Sequence, residues 1–150
     1  MKINDKLIKK DILTASLNSD MSVSTTSGLI TVSKSVSTGN RLTLSNGKIV
    51  IGKGIKKVKV CANMRIYNSS TSKIGVNMNI YKNSIDYVAS NRTTLDNNSY
   101  DGISVATSLI EVEENDELSI HYWKSNESAM TIMKDYGGTY LTVEVAEYDN

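Results

Sequence analysis

Residues 55–67 read IKKVKVCANMRIY, and from position 58 onward every second side chain is apolar. The apolar members of this alternation are Val58, Val60, Ala62, Met64 and Ile66. Successive side chains of an extended chain point to opposite faces, so the pattern predicts one long strand with one face on a core. The other face, which carries Asn63, Arg65 and Tyr67, is expected to meet solvent or a partner.

The same two-residue period recurs along most of the chain, and no convincing helical stripe follows the first residues. About ten strands are predicted, near residues 12–17, 29–33, 41–44, 48–51, 57–67, 75–81, 85–92, 102–112, 117–123 and 139–145. Turn signals separate them, and Asn46-Gly47 is the strongest because both residues tolerate the positive φ of a hairpin turn. So many strands in a short chain predict an all-β sandwich or barrel.

The length of 150 residues fits one domain, with residues 12–150 forming the domain and residues 1–11 an arm or attachment segment. The net charge of +1 gives no field that would hold nucleic acid or an anionic membrane. No run approaches the ~20 apolar residues of a membrane helix, and no signal peptide is recognisable. We therefore expect neither nucleic acid nor membrane insertion, and synthesis in the cytoplasm.

The residues that support common catalytic chemistries are scarce. His121 is the only histidine and Cys61 the only cysteine, which is too few ligands for a zinc site within one protomer. His121 lies in an alternating strand, outward of Ile120 and Tyr122, and no G-x-S-x-G motif is present, so a surface or interface histidine is favoured over a catalytic base. We predict no catalytic residue, no bound metal and no cofactor.

Carboxylates leave one alternative open. Two of Asp86, Asp96, Asp101 and Asp135 could meet at the separation that glycoside hydrolysis requires, although the spacing singles out no pair. The acidic run at residues 113–117 lies between apolar strand ends and does not match a calcium loop. A solvated turn is therefore favoured there over a cation site.

Eight tyrosines and one tryptophan make up all of the aromatic residues. Some of them alternate with the aliphatic residues of their strands, which places them on the outward face. Rings with a polar tip suit protein interfaces and stacking on sugars. The predicted interface residues are Arg65, Tyr67, His121, Trp123 and Tyr140.

The run LSNGKIVIGKGIKKVKVCANMRIY, residues 44–67, resembles the start of jelly-roll domains of the tumour necrosis factor and complement globular-head type in phage and prophage fibre proteins. Later features follow in the same order: IYKNS at 80–84, LIEVEEND at 109–116 and GTYLTVEV at 138–145. Asn115 and Ser84 stand where such domains often carry glycine. Asparagine tolerates the left-handed conformation, whereas Ser84 indicates a slightly different turn.

The resemblance implies a ten-stranded antiparallel jelly roll that assembles as a homotrimer with one sheet facing the three-fold axis. It implies a non-enzymatic virion protein, a fibre-tip or head-fibre domain that attaches to a host surface glycan. The ligand loops would be residues 91–102 and 124–138, with Tyr100 and Tyr136, and the N-terminal segment would bind a capsid or tail protein. The alternatives are a capsid decoration protein without a ligand and a glycan-cleaving enzyme.

Overall fold

The alternating segment forms the longest strand of the protein, at Ile55–Asn68, in a computed structural model that describes residues 10–135 and 138–149. All five apolar positions of the alternation are at most 2% exposed. The long strand and its inward face are therefore as predicted. Within the described ranges, no helix is long and apolar enough to cross a membrane.

The described residues form fourteen strands. These are β1 (Ile12–Ser16), β2 (Met21–Val23), β3 (Ser27–Leu29), β4 (Lys34–Thr38), β5 (Leu42–Ser45), β6 (Lys48–Ile51), β7 (Ile55–Asn68), β8 (Ile74–Lys82), β9 (Asp86–Leu95), β10 (Ser99–Ala106), β11 (Ile110–Glu111), β12 (Glu117–Lys124), β13 (Met130–Met133) and β14 (Tyr140–Tyr148).

Two antiparallel sheets are built from these strands. The eight-stranded sheet has the order β2-β13-β7-β14-β1-β4, with β10 and β11 also paired to β7. The six-stranded sheet has the order β5-β6-β12-β8-β9, with β3 also paired to β12. Apolar side chains from the inner faces of both sheets form one buried cluster. This is the predicted all-β sandwich, in which each sheet keeps one outer face away from the core.

The strand count exceeds the predicted ten because several strands are too short to show an alternating pattern. β2, β4 and β13, with three to five residues each, were not predicted. The segment predicted as one strand at 102–112 is two strands on the same edge of β7, interrupted at residues 107–109. The predicted ligand loop at 124–138 contains β13, which pairs with β7 and β2.

The strand predicted at residues 29–33 ends early because the chain changes sheets there. The backbone N–H of Ile30 donates to Ile120 in the six-stranded sheet, whereas that of Ser33 donates to Ser16 in the eight-stranded sheet. Ile30 and Val32 are fully buried along the crossing. The buried apolar residues of this segment therefore belong to a crossover between the sheets and not to a single strand.

The turns combine confirmed and corrected predictions. Asn46 and Gly47 both have positive φ, at 51° and 76°, as the predicted hairpin requires. Asn115 is left-handed at φ 72°, also as predicted. Ser84 does not avoid the glycine-like conformation: its φ is 57°, next to Asn83 at 55°. The β8–β9 turn therefore retains two left-handed central residues although it lacks glycine.

Asp11 joins the start of the described chain to the sandwich. Its side chain is buried, and Oδ1 accepts the backbone N–H groups of Asn40 and Arg41 at 2.9 and 3.0 Å. Its Oδ2 accepts the Tyr148 hydroxyl at 2.8 Å. Asp11, the last residue of the predicted arm, is thus packed with the domain, and residues 1–9 lie outside the described part.

Candidate binding surfaces

Four cross-strand rows on the outer face of the eight-stranded sheet form what we call the Tyr67 face. The rows are Thr131–Tyr67–Tyr100, Met133–Arg65–Gly102, Tyr140–Asn63–Ser104 and Thr142–Cys61–Ala106. Arg65 is the only charged residue in these rows. Charged residues flank these rows: the Tyr140 row continues through Ser16 to Lys34, and Glu144 lies opposite Lys59 in the next row.

Two tyrosines and an arginine lie together at one end of the Tyr67 face, in its first two rows. The rings of Tyr67 and Tyr100 stack with centroids 4.4 Å apart and planes 30° apart. The Arg65 guanidinium carbon lies 5.8 Å from the Tyr100 centroid, within reach of a cation–π interaction. Tyr100 remains 56% exposed, so the stack ends in an aromatic surface open to a partner.

Tyr100 was predicted in a ligand loop at residues 91–102, and this placement is wrong. Strands β9 and β10 extend into that segment and leave only residues 96–98 between them. Asn98, at φ 52°, allows this tight reversal. Tyr100 therefore lies in a strand, on the same face as Arg65, Tyr67 and Tyr140. Tyr136, the other predicted ligand residue, lies outside the described residues.

The five predicted interface residues fall into two groups on opposite sides of the sandwich. Arg65, Tyr67 and Tyr140 lie on the eight-stranded sheet. His121 and Trp123 lie on β12, in the six-stranded sheet, with the fully buried Ile120 between the two sheets. A single sheet facing a three-fold axis can include only one of these groups.

A cleft of about 350 Å³ occupies the outer face of the six-stranded sheet, and we call it the Trp123 cleft. Its lining residues are Ser27, Gly28, Asn79, Tyr81, Ser84, His121, Tyr122 and Trp123. The Tyr81 ring meets the His121 ring nearly edge to face, with centroids 4.9 Å apart. The Tyr87 and Tyr81 rings also meet edge to face, with centroids 6.0 Å apart, and Trp123 is 41% exposed.

Sequence reasoning missed Tyr81, Tyr87 and Asn79 as parts of a surface with His121 and Trp123. The pairing of β8 with β12 brings Asn79 opposite His121, although some forty residues separate them in the chain. An irregularity in the β8–β9 register places Tyr87 opposite Tyr81, where regular pairing would have placed Val88. The aromatic and polar alternation at residues 77–81 was the available signal.

His121 lacks the arrangement needed for nucleophilic catalysis. Its Nε2 is 3.1 Å from the Ser119 hydroxyl, but Ser119 is fully buried and cannot reach a substrate on the surface. Burial, and secondarily the charge of Lys48, lowers the pKa of His121 below its ordinary value. At neutral pH the ring is therefore uncharged.

Two of the four candidate catalytic carboxylates, Asp96 and Asp101, make structural contacts. Asp96 pairs with Lys73 at 3.1 Å, and Asp101 accepts the Thr93 hydroxyl. Asp86 begins the ten-residue β9, so it lies about 30 Å from Asp96 at the other end, too far for a catalytic pair. No group of three His, Cys, Asp or Glu side chains in the described ranges is placed to hold a metal ion.

A cavity of about 800 Å³ lies beside the acidic turn at residues 113–116. Lysines and carboxylates line it together, including Lys53, Lys56, Lys82, Glu113 and Asp116. Asp116 accepts the Glu113 N–H and the Asn83 side-chain amide, both at 2.8 Å. These bonds fix the turn, as the solvated-turn prediction expected, and leave a cavity of mixed charge.

Solved structures with a similar backbone identify the type of fold. The chain is similar to Eiger, a TNF from S. frugiperda, with a TM-score of 0.67 and 8% identity over 95% of each chain. It is also similar to murine APRIL at pH 5.0, with a TM-score of 0.67 and 9% identity over 92% of this chain and all of that one. No family model and no curated protein matches the sequence. At such identities the likeness confirms a TNF-like jelly-roll fold.

Proposed function

We propose that the chain is a non-enzymatic virion protein of a phage or prophage, a homotrimeric fibre-tip or head-fibre domain that attaches to a glycan on the host surface. Residues 1–11 would join it to a capsid or tail protein. One observation carries the proposal: the Tyr67 face is broad, has a single charged residue in its four rows and includes an exposed aromatic stack.

The composition of the Tyr67 face matches that of a subunit interface. Interface cores are depleted of Lys, Glu and Asp and enriched in aromatic residues and Arg. Here Tyr67, Tyr100 and Tyr140 surround Arg65, and the rest of the rows carry small or neutral side chains. A second copy of the chain is the occupant that such a face fits, and a three-fold arrangement follows the TNF-like fold.

The attachment role rests on the resemblance of residues 44–67 to phage fibre domains and on the gain in binding strength that a trimer offers. Three weak sites held together bind a repeated glycan far more strongly than one, because the later contacts are intramolecular. The decoration hypothesis uses the same trimer without a ligand. For the glycosidase hypothesis, the length of β9 excludes Asp86 and Asp96 as the catalytic pair, and the other pairs of the four carboxylates stay a prediction.

The proposal is tested by measuring molar mass in solution and retention on immobilised cell-wall polysaccharides from a panel of bacteria. We expect the mass of three protomers, retention on at least one polysaccharide, and no release of reducing sugar from it. A monomeric mass would overturn the trimer. A trimer that no polysaccharide retains would favour decoration, and sugar release would establish an enzyme. Neighbouring genes for capsid or baseplate proteins would support the virion assignment.

A further inference from the structure

We propose that the Trp123 cleft is a binding site for a neutral saccharide. The inference rests on the proposed attachment function and gives it a location, on the outer face of the six-stranded sheet. That location differs from the loops that the sequence suggested. It also leaves the Tyr67 face free for contacts between protomers.

The lining of the cleft combines two chemistries that a sugar ring requires. Trp123, Tyr81 and His121 present ring surfaces on which the C–H faces of a pyranose stack. Ser27, Ser84 and Asn79 place hydroxyl and amide groups among those rings, where sugar hydroxyls can donate and accept hydrogen bonds. Apolar surface with a few convergent polar groups is the usual composition of a small-ligand site.

The charge of the cleft favours a neutral ligand. None of its lining residues is an Asp, Glu, Lys or Arg. His121 is uncharged at neutral pH because burial lowers its pKa. A phosphate or an acidic sugar would find no cation among the lining residues to pair with.

The shape of the cleft favours a small ligand over a protein. Its volume of about 350 Å³ lies within the range of small-molecule sites, roughly 300–1,000 Å³. A stable protein contact needs about 800 Å² on each partner, which is a broad surface and not a single concavity. The Tyr81 and His121 rings meet nearly edge to face, so they form walls of the cleft. The Tyr67 and Tyr100 rings lie closer to parallel, so they form a flatter surface.

Tryptophan fluorescence offers a direct test, because Trp123 is the only tryptophan in the chain. The probes are chitohexaose, cellohexaose, maltohexaose and mannohexaose, each titrated into the full-length protein while emission and heat are recorded. We expect at least one of them to shift the emission in a saturable manner. In calorimetry, Trp123→Ala should weaken that binding by about tenfold or more, since it removes the largest ring.

Leu109→Ala is the matched control, because it also removes an exposed apolar side chain but lies in the loop between β10 and β11. Asn79→Ala keeps the tryptophan and should weaken binding with the fluorescence readout intact. Binding heat without an emission shift, or full binding by Trp123→Ala, would overturn the cleft while leaving glycan attachment standing. Neither heat nor shift with any probe would overturn the cleft, and it would overturn attachment as well if the cell-wall polysaccharides also failed to retain the protein. Loss of the trimer in Trp123→Ala would overturn the cleft by making it a subunit contact.

Discussion

Asp11 is a single residue whose ionisation links acid stability to the packing of the chain start. Burial by itself would raise its pKa, but backbone N–H groups of Arg41 and Asn40 and the Tyr148 hydroxyl outweigh this effect and lower it. The folded pKa is thus below the unfolded value of about 3.9. The stabilisation is complete above that value and is lost as pH falls through the folded pKa.

Asp11→Asn should therefore lower the free energy of unfolding at pH 7 by about 1–3 kcal/mol, because the carboxylate is the acceptor of three hydrogen bonds. It should also flatten the loss of stability below about pH 4. Urea unfolding from pH 2 to pH 7 measures both effects. Asp86→Asn, at an exposed carboxylate, is the control. An unchanged acid profile in Asp11→Asn would contradict the assignment.

Alternation predicted the direction of the β12 side chains up to residue 123, but Lys124 was predicted in the ligand loop at 124–138 and is in fact the last residue of the strand. Lys124 follows Ile120 and Tyr122 on the inward side of β12, and it is fully buried. Its ammonium group donates to the carbonyl oxygens of Val23 and Ser128, which compensates for its burial. The direction of Trp123 could be predicted in the same way, but the neighbours that make its cleft come from other strands.

The β8–β9 hairpin is an element whose turn chemistry is not optimal. Ser84 has φ 57° without the conformational freedom of glycine or the side-chain compensation of asparagine. Ser84→Gly should therefore raise the free energy of unfolding by up to about 1 kcal/mol. Thermal unfolding of the purified protein measures the change.

Ser45→Gly is the control for this prediction, because Ser45 lies in β5 and has no positive φ. Glycine in a strand weakens it, so this variant should be less stable by about 0.5–1 kcal/mol. If both substitutions lowered the melting temperature equally, relief of strain at Ser84 would be wrong.

The predictability of each element depended on its length and on how local its pairing is. β7 could be predicted because its own residues alternate between apolar and polar. β6 could be predicted because the tight Asn-Gly turn comes directly before it. β13 could not, because its burial depends on β2 and β7, which are distant in the chain. The register irregularity that turns Tyr87 outward is likewise a property of the pair of strands and not of β9 alone.

At the scale of the whole molecule, the jelly roll has two outer faces of different character. The Tyr67 face is broad and nearly uncharged, and the Arg65 guanidinium lies beside the Tyr100 ring. The Trp123 cleft is concave and lined by rings and neutral polar groups. A trimer that joins copies through the first face would present three copies of the second, which is the arrangement that avidity requires.

This division of roles predicts that charge on the Tyr67 face impairs assembly before it impairs folding of the protomer. Tyr67 stacks on Tyr100 at the sheet surface and does not enter the core, so Tyr67→Glu should leave the far-ultraviolet circular dichroism of the fold intact. In an interface, three new carboxylates would be buried and the stacking of Tyr67 on Tyr100 would be lost, which is unfavourable even with Arg65 in the neighbouring row. Light scattering should therefore show monomers for Tyr67→Glu.

Ile85→Glu, at an exposed apolar residue between β8 and β9, should remain trimeric. An intact trimer in Tyr67→Glu, or equal dissociation in both variants, would count against the Tyr67 face as the contact between protomers.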